Sequence, residues 1–454
     1  VRLGRLYNSV NMEFSHPIIY SSFIFYYLCS MRVLIVNTSE KKGGAAVAAN
    51  RLMEALNNNG VKAKMLVRDK ETDNINVVEL SNRISQKLYF LWERLVVFFY
   101  QHFSTKNLFA VDIANCGTDI TGMKEFKEAD VIHLHWINQG MLSLKSIRRI
   151  LESGKPVVWT MHDIWPATGV CHITLGCNRF KSRCCNCRLL PGKGGADDLS
   201  AKIWRRKSKM LKAGSVHFVT CSKWLESEAK ESSLLQNHSV TSIPNPIDIR
   251  VFCSQDKTMS RERCGLPMGK NVILFVSQRI TNPNKGMNYL VDACNQIVKE
   301  HPEMQESTIV AVLGGHAEDM QESLPFEVYN LGYTSDSKRI VDIYNSASVF
   351  VLPSLSENLP NTIMEAMACG VPCVGFKVGG IPEEIDHKKN GYVAAYRDYE
   401  DLARGIYWVL KEADYSSLCN EAQKKVRLSY SQQSVAVKYI EVYNQALAKK
   451  HYRL

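Results

Sequence analysis

The chain has 454 residues, of which 45% are hydrophobic and 22% charged, and its formal net charge is +11 at pH 7. This length exceeds what one hydrophobic core normally serves, so we expect two domains. The positive charge suits nucleic acid, an anionic membrane surface or phosphorylated ligands. No nucleic-acid-binding motif accompanies it, so we set nucleic acid aside as a partner.

Residues 1–30 do not fit the pattern of the rest of the chain. The segment from Pro17 to Cys29 is apolar and aromatic, yet it is too short to span a bilayer. It has neither a small-residue cleavage site nor a charged flank directly before it, so it matches a signal peptide poorly. We interpret residues 1–30 as an upstream extension, disordered or absent in the working protein, with a short membrane anchor as the alternative.

The first half of the chain repeats a strand–helix pattern. An apolar strand at Arg32–Asn37 is followed by a glycine-bearing loop and an alanine-rich helix over Ala45–Leu56. The turn-rich segment 244–246 then marks a break. It predicts a first domain over residues 31–245 and a second over residues 246–430. Further buried strands of the first domain are predicted at residues 61–67, 131–134, 156–161, 216–221 and 240–243.

The loop Lys41–Gly44 joins the first strand to the first helix. Glycines at this place let a ligand approach the backbone, and the amides that follow can meet a phosphate. The loop is not a complete G-x-G-x-x-G motif, so a plain tight turn is an equally good interpretation of Gly43 and Gly44.

Two segments of the first half have an unusual composition. Leu88–Phe103 is strongly apolar and long enough for a helix, and residues 202–209 form the densest basic run. Segments of these two kinds most often form a core helix and a solvated helix, respectively. The alternative is docking on the inner face of a membrane, where acidic lipids would meet the basic side chains and aromatic rings would enter the interface.

His162 follows a predicted strand and should project from the carboxyl edge of the first sheet. A histidine there can donate to a sugar hydroxyl or a phosphate oxygen, and it ordinarily titrates near neutral pH. A structural histidine that caps the next segment is the alternative. We interpret His133 and His135 as packing or rim residues, and Ser222 and Asn245 as lesser candidates for cleft contacts.

Of the 14 cysteines, five lie between residues 171 and 187. Four thiolates can bind a tetrahedral zinc ion, and a long polar loop with little apolar content would need such a cross-link. The spacing of Cys171, Cys177, Cys184 and Cys187 is not that of a standard zinc finger, so free thiols and, less readily, disulfides are the alternatives. We expect a structural role for this cluster. The remaining cysteines stand in apolar contexts, as in a reduced cytosolic protein.

The second half begins with another buried strand at residues 272–276, and Ser277-Gln278-Arg279 stands at its end. Arg279 and Lys285 are therefore predicted at the carboxyl end of a strand, where α/β sheets bind ligands. Fixed cations there can stabilise negative charge that develops on a diphosphate. Either residue considered alone is better explained as a solvated loop cation, and the ligand-binding interpretation depends on the acidic stretch described next. Further strands are predicted at residues 309–313, 348–352 and 372–376.

A strand-to-helix unit after the strand at residues 348–352 carries two acids. Glu357 lies in the loop and Glu365 about one turn inside the helix. The amides near Asn361 and Thr362, at the helix N-terminus, attract an anion. A nucleotide-sugar suits this place, because its hydroxyls can meet carboxylates while its diphosphate meets amides. An ordinary βα unit is the alternative.

These motifs, in this order, resemble those of the retaining nucleotide-sugar glycosyltransferases of family four. The resemblance covers nearly the whole chain from Met31 onward and rests on Ser277-x-Arg279, Lys285-Gly286, Gly314-Gly315 and Glu357-x7-Glu365. It implies an α/β protein of the GT-B class, in which two Rossmann-like domains face a central cleft. It also implies that a C-terminal helix, over residues 431–454, packs back on the first domain.

The same resemblance implies roles for individual residues. Arg279 and Lys285 would hold the donor diphosphate, Glu365 would bind the ribose, and Glu357 and His162 would lie beside the donor sugar. The glycine loop would face the cleft. The predicted catalytic residues are Glu357, His162, Lys285 and Arg279, and the predicted donor-binding residues are Gly43, Gly44, Ser277, Arg279, Lys285, Asn361, Thr362 and Glu365.

The implied activity is transfer of a sugar from a nucleotide-sugar donor to a glycan or lipid-linked glycan acceptor. Retention of anomeric configuration, no metal at the diphosphate and no cofactor for catalysis belong to the same expectation. So do a place in bacterial surface polysaccharide synthesis and a cytoplasmic location with contact to the inner membrane face. A nucleotide-sugar epimerase and a non-catalytic glycan- or lipid-binding protein are alternatives. A glycoside hydrolase also needs paired carboxylates, but it has no use for a cationic diphosphate site.

Overall fold

The computed structural model describes residues 31–191, 195–315 and 323–451, so the predicted extension over residues 1–30 lies outside the described residues. Two parallel sheets organise these residues, one in each half of the chain. The predicted α/β class with two Rossmann-like domains is therefore confirmed.

The first sheet has seven parallel strands in the order β3-β2-β1-β4-β5-β6-β7. They are β1 (Arg32–Ser39), β2 (Lys62–Asp69), β3 (Val77–Glu79), β4 (Val131–Leu134), β5 (Val157–Met161), β6 (Val216–Thr220) and β7 (Ser239–Ser242). Six helices accompany them: α1 (Gly44–Asn58), α2 (Arg83–Tyr100), α3 (Lys124–Glu128), α4 (Leu144–Glu152), α5 (Leu199–Leu211) and α6 (Lys223–Lys230).

The second sheet has six parallel strands in the order β10-β9-β8-β11-β12-β13. They are β8 (Asn271–Arg279), β9 (Thr308–Gly315), β10 (Glu327–Asn330), β11 (Val349–Leu352), β12 (Cys373–Phe376) and β13 (Gly391–Ala394). The helices of this half are α7 (Lys257–Cys264), α8 (Met287–Glu300), α9 (Met304–Ser307), α10 (Ser337–Ser346), α11 (Asn361–Ala368), α12 (Ile381–Glu384), α13 (Tyr399–Tyr407), α14 (Tyr415–Ser429) and α15 (Gln432–His451).

The central strands read as continuous apolar runs because both faces of each sheet are covered. In β1, Leu34 and Val36 pack into one hydrophobic core, whereas Val33 and Ile35 pack into the core on the opposite face. The ten strands predicted from such runs are all present. The three additional strands, β3, β10 and β13, are short and lie at sheet edges, with three or four residues each.

The C-terminal helix α15 packs against the first sheet, as the resemblance implied. Val435, Tyr439 and Tyr443 are buried in the same core as Val33 and Ile35. The Tyr443 hydroxyl lies 2.7 Å from His133 Nδ1, below the carboxyl edge of the sheet. The last helix is thus part of the core that supports one side of the cleft.

Helix α2 is not the core helix that its composition suggests. Its inward side buries Val97 and the carboxyl group of Glu93, but its other side leaves a row of large apolar residues exposed. Among the described residues, no helix is both long and apolar enough to cross a membrane. The exposed row consists of Ile84, Leu88, Leu91, Trp92, Leu95, Phe99 and Tyr100.

Candidate active site

The loops at the carboxyl edges of the two sheets face each other across a cavity of about 600 Å³. Its size is typical of small-molecule sites. The first domain contributes His162 and Asp163 after β5, and the second contributes Lys285 and Glu357 from the loops after β8 and β11. Three of the four predicted catalytic residues therefore line one cavity.

Lys285 and Glu357 form an ion pair at the base of this cavity. Lys285 Nζ donates to Glu357 Oε1 at 2.5 Å. Their two loops are tied by the Leu355 amide, which donates to the Asn284 carbonyl oxygen at 2.8 Å. A Cβ atom on Gly286 would lie 1.8 Å from the Pro353 carbonyl oxygen. Only glycine therefore allows the two loops to approach closely enough for the pair to form.

Two further glycines, Gly379 and Gly380, let the loop after β12 pack on the loop that carries Glu357. A Cβ atom on Gly379, whose φ is +56°, would lie 1.7 Å from the Glu357 carbonyl oxygen. A Cβ atom on Gly380 would lie 2.1 Å from the Asn358 carbonyl oxygen. Glu357 is thus held by its backbone as well as by its ion pair.

Asn358 joins the two domains beside the cavity. Its side-chain amide donates to the His162 carbonyl oxygen at 3.2 Å, and its Oδ1 accepts from the Ser222 hydroxyl at 2.6 Å. Ser222 also caps helix α6 by accepting from the Leu225 amide. Glu383 strengthens the same junction, since it accepts from the first two amides of α6. Sequence reasoning found Ser222 but missed Asn358 and Glu383, because their partners lie in the other domain.

The N-termini of helices α1 and α11 meet across the cleft. The Asn361 side-chain amide donates to the Gly44 carbonyl oxygen at 3.1 Å, and Asn361 Oδ1 accepts from Asn245 at 3.0 Å. Neither helix has a side-chain cap: the cap positions are Gly43 and Pro360. The first amides of both helices, including that of Thr362, therefore give this part of the cleft a positive potential that suits an anion.

Glu365 lies on α11, one turn inside the helix, and is only 9% exposed. Its Oε1 accepts from Arg51 of α1 at 2.6 Å, and its Oε2 accepts from the Tyr344 hydroxyl at 2.9 Å. Both oxygens thus have protein donors. A ribose at Glu365 would have to share the carboxylate with these donors, and the predicted ribose contact stays a prediction.

Arg279 lies at the end of β8, is exposed, and is not among the residues that line the 600 Å³ cavity. No ion pair involves its guanidinium among the described residues. The Ser277 hydroxyl donates to the Arg279 carbonyl oxygen at 2.8 Å. Gly314 (φ +154°) passes so close that a Cβ there would lie 1.9 Å from the Ser277 carbonyl oxygen. Close backbone packing therefore accounts for the residue types at Ser277 and Gly314, while the Arg279 side chain is exposed.

Three histidines of the first domain lie side by side, and each makes hydrogen bonds through its ring. His162 Nε2 lies 2.9 Å from His135 Nδ1, and His133 Nε2 lies 2.7 Å from the Thr160 hydroxyl. Burial lowers the pKa of His162 to about 4 and that of His133 to about 3, because it penalises the charged ring. The expectation that His162 titrates near neutral pH is therefore wrong: its ring is neutral there.

A charged pair lies next to these neutral rings. Asp163 Oδ2 accepts from His172 Nδ1 at 2.8 Å and from Trp136 Nε1 at 2.9 Å. Burial acts against the charged form of His172, yet Asp163 and Asp112 raise its pKa. Sequence reasoning assigned no role to His172, because its acidic partners are distant along the chain or belong to another loop.

The cysteine-rich loop borders the cavity from the first domain. Residues 173–176, between Cys171 and Cys177, line the 600 Å³ cavity, while the cysteines point to the other side of the loop. The cysteines within the described residues are all free thiols. The disulfide alternative thus has no support among them.

Curated relatives share sequence with this chain. A D-inositol 3-phosphate glycosyltransferase of Catenulispora acidiphila is 28% identical over 46% of this chain and 51% of its own length. An uncharacterized glycosyltransferase of Methanocaldococcus jannaschii is 26% identical over 89% of this chain and 95% of its own. The chain spans about half the length of the first two curated relatives it matches.

Solved structures share the fold. The sucrose-phosphate synthase of Thermosynechococcus elongatus matches with a TM-score of 0.62 and 17% identity, over 92% of this chain and 100% of that chain. An Anabaena protein solved in complex with UDP-glucose matches with a TM-score of 0.58 and 16% identity, over 93% of this chain and 100% of that one.

Two family models match successive parts of the chain. One, described as Glycosyltransferase Family 4, covers residues 42–251, and the other, described as Glycosyl transferases group 1, covers residues 270–412. The first holds the glycine loop and the histidines, and the second holds Lys285, Glu357 and Glu365. The chain belongs to the group 1, family 4 glycosyltransferases and has their two-domain GT-B fold.

Proposed function

We propose that this protein transfers a glycosyl group from a nucleotide-sugar donor to a hydroxyl of a glycan or lipid-linked glycan, with retention of anomeric configuration. The observation that carries the proposal is the Lys285–Glu357 pair, which faces His162 in one interdomain cavity. The uncapped N-termini of α1 and α11 lie at the same cleft. Cation, amides and carboxylate are together what a diphosphate-linked sugar requires.

In the proposed reaction, the bond between the sugar C1 and the diphosphate oxygen breaks first, and its electron pair stays on that oxygen. Lys285, Arg279 and the helix amides stabilise the charge that develops there. The acceptor oxygen attacks C1 from the face that the diphosphate leaves, and its proton passes to a departing phosphate oxygen. These fixed groups supply the positive potential, so the proposed route uses no metal or cofactor at the diphosphate.

Glu357 and His162 have different parts in this proposal. The Glu357 carboxylate orients Lys285 and can accept a hydrogen bond from a sugar hydroxyl. His162 is neutral at physiological pH because burial lowers its pKa to about 4. We therefore assign it a role in hydrogen bonding beside the sugar rather than in proton transfer.

The test is a panel of UDP-, GDP- and ADP-sugars, scored by thermal shift and then by the mass of the products formed with glycan acceptors. The expected result is a thermal shift with one donor class and a product that is one sugar heavier. An epimerase would instead convert its donor without any acceptor, and a binding protein would shift without turnover. Either result contradicts the proposal.

For the acceptor side, we propose that α2 lies on an anionic membrane surface. This contact would bring the protein to a lipid-linked acceptor on the cytoplasmic side of the membrane, as surface polysaccharide synthesis requires. Leu88 and Leu91 of the exposed row are each 59% exposed and Trp92 is 55% exposed. The one acid of α2, Glu93, is buried and accepts from two backbone amides. The outer face is thus apolar, with exposed Lys87 beside it, a pattern that suits an interfacial helix.

The position of α2 links this surface to the cleft. Gly140, in the loop after β4, passes so close to α2 that a Cβ atom there would lie 2.6 Å from the Phe90 amide nitrogen. Arg68 of β2 lies over the Phe90 ring at 5.7 Å. The helix therefore packs at the carboxyl side of the first sheet, where an acceptor would enter.

Co-sedimentation with vesicles tests the membrane contact. Vesicles that contain phosphatidylglycerol should retain the protein, and vesicles of phosphatidylcholine alone should not. The double variant Trp92→Ser, Leu95→Ser should lose most of the binding, while Ile75→Ser, at a site 88% exposed elsewhere in the same domain, should keep it. Equal binding by wild type and the double variant, or a dimer lost only in the double variant, would rule the membrane contact out.

A further inference from the structure

Four cysteines of the 171–187 loop converge in the folded chain, although they are spread over 17 residues. Cys171, Cys177, Cys184 and Cys187 line one cavity of about 20 Å³, which Cys185 also lines. Cys171 lies near Cys184 and Cys187, and Cys184 also lies near Cys177. A cavity of this size holds one atom-sized guest and no organic ligand.

The backbone around the cavity already presents a donor to sulfur. The Gly169 amide donates to Cys184 Sγ at 3.1 Å. Gly169 is needed there, since a Cβ atom would lie 2.6 Å from the Ser200 carbonyl oxygen and 3.0 Å from Cys184 Cβ. Amide donors of this kind support thiolate ligands around a metal.

A buried lysine provides a second, independent observation. Lys207 belongs to the basic run at residues 202–209, but it is only 1% exposed and so is not the solvated cation expected there. Its Nζ donates to the carbonyl oxygens of Trp165 and Thr168 at 2.6 and 3.1 Å. It has no carboxylate within ion-pair distance in the described part of the chain. Burial lowers its pKa to about 7, while the thiols of Cys171 and Cys184 and the carboxyls of Asp112 and Asp163 act in the opposite direction. A buried cation requires nearby negative charge.

We propose that Cys171, Cys177, Cys184 and Cys187 bind one structural zinc ion that braces the first-domain wall of the cleft. A zinc ion with four thiolate ligands has a net charge of about −2, which would favour the charged form of the buried Lys207 beside it. As they stand, no group of three or more His, Cys, Asp or Glu side chains among the described residues is placed so that it could hold a metal ion. Binding therefore draws the four Sγ atoms in to about 2.3 Å from the ion, and each thiol releases its proton to solvent.

The consequence for the cleft follows from the loop itself. Residues 173–176 span the interval between the first two ligands and line the 600 Å³ cavity. Zinc at the back of this loop fixes its position without contact to the reacting atoms. The site is thus a positioning device, separate from the chemistry of Lys285 and Glu357.

The first experiment measures metal content. The full chain is purified without chelators from zinc-supplemented cells, and zinc is determined by elemental analysis. The expected value is about one zinc per chain. Less than about a fifth of that, iron in place of zinc, or an intact mass that shows a disulfide in this loop would each overturn the proposal.

Matched variants then test the ligand set. Cys177→Ser and Cys184→Ser should lower the zinc content at least fivefold, whereas Cys185→Ser, which changes a thiol of the same loop that is not a proposed ligand, should retain it. Zinc that persists in both ligand variants, or that is lost in Cys185→Ser, would overturn the assignment.

A measurement on the wild-type chain covers the case in which the variants fail to fold. Replacement of zinc by cobalt should produce the intense visible bands of tetrahedral thiolate coordination. Displacement of the metal by a mercurial reagent should release one zinc as four thiols react. Weak octahedral cobalt bands, or thiols that react without metal release, would contradict the site.

Discussion

The two edges of the cleft differ in how they carry charge. On the second domain, Lys285 and Glu357 form a partly exposed ion pair, and Arg279 is exposed, with no ion-pair partner in the described part of the chain. On the first domain, His133 and His162 are neutral rings that bond to other histidines and hydroxyls. One edge therefore supplies electrostatic stabilisation through an accessible cation. The other supplies neutral histidine rings, beside which Asp163 and His172 form a charged pair. Mutations and pH should affect the two edges in different ways.

The largest effect is expected from Lys285→Ala. Removal of a preorganised cation from the diphosphate site should lower kcat by about 10²–10³-fold, with little change in melting temperature because Lys285 is partly exposed. Steady-state kinetics measure this. Lys299→Ala, at an exposed position on α8, is the matched control and should behave as wild type. If Lys285→Ala retains more than half of the turnover, the charged edge is not where the diphosphate binds.

A smaller effect, on donor binding, is expected from Glu365→Ala. Loss of a charged hydrogen-bond partner should raise the donor KM by about 10–100-fold while kcat changes less. Arg51→Ala separates the two roles of Glu365, because it removes only the contact between α1 and α11. Equal KM values in the two variants would mean that Glu365 acts through domain contact and not through the ribose.

The neutral edge predicts a pH dependence of stability. His162 binds a proton in the unfolded chain below about pH 6.5 but in the folded chain only near pH 4, because burial lowers its pKa. Its contribution to stability is therefore present above pH 6.5 and is lost as the pH falls toward 4. His162→Gln should flatten the fall in melting temperature between pH 7 and 5. A ring signal of His162 that titrates above pH 6 in NMR would show that this edge is charged after all.

The smallest effect is expected at Glu384, a buried carboxyl of the second domain. Glu384 is fully buried near Glu357, and burial and then that neighbour raise its pKa well above the usual value. Its contribution to the free energy of unfolding is therefore fully present below about pH 4.5. This contribution is lost as the pH rises through the raised pKa of the folded state. The melting temperature of Glu384→Gln, relative to that of wild type, should therefore rise from pH 5 to 8. The rise should be about 2–4 °C for each kcal/mol of stability that the wild type loses. A constant difference across this range would mean that Glu384 is ionised.

The central strands were predictable because burial on both faces leaves an unbroken apolar run, as in β1 and β11. Short and edge strands such as β3 and β10 have no such run. Within the site, the residue types at strand ends identified Lys285 and Glu357. Their direct pairing, 72 residues apart, required the fold.

Features that depend on distant partners were not predictable. The neutral state of His162 follows from burial against His135 and Cys221, which follow other strands of the sheet. The apolar run of α2 does not reveal that its outer face is exposed. Asn358 and Glu383 have ordinary sequence surroundings, and only the docking of the domains gives them partners.

The way in which α15 crosses back has a consequence for synthesis of the protein. Tyr439 and Tyr443 fill the core beneath β4 and β5, where they bond to Thr160 and His133. A ribosome releases the strands of the first sheet long before it makes these tyrosines. The core of the nascent first domain is therefore incomplete until the last helix has been synthesised. Its final packing can begin only after the second domain has emerged, which makes completion of the whole chain the step that fixes both edges of the cleft.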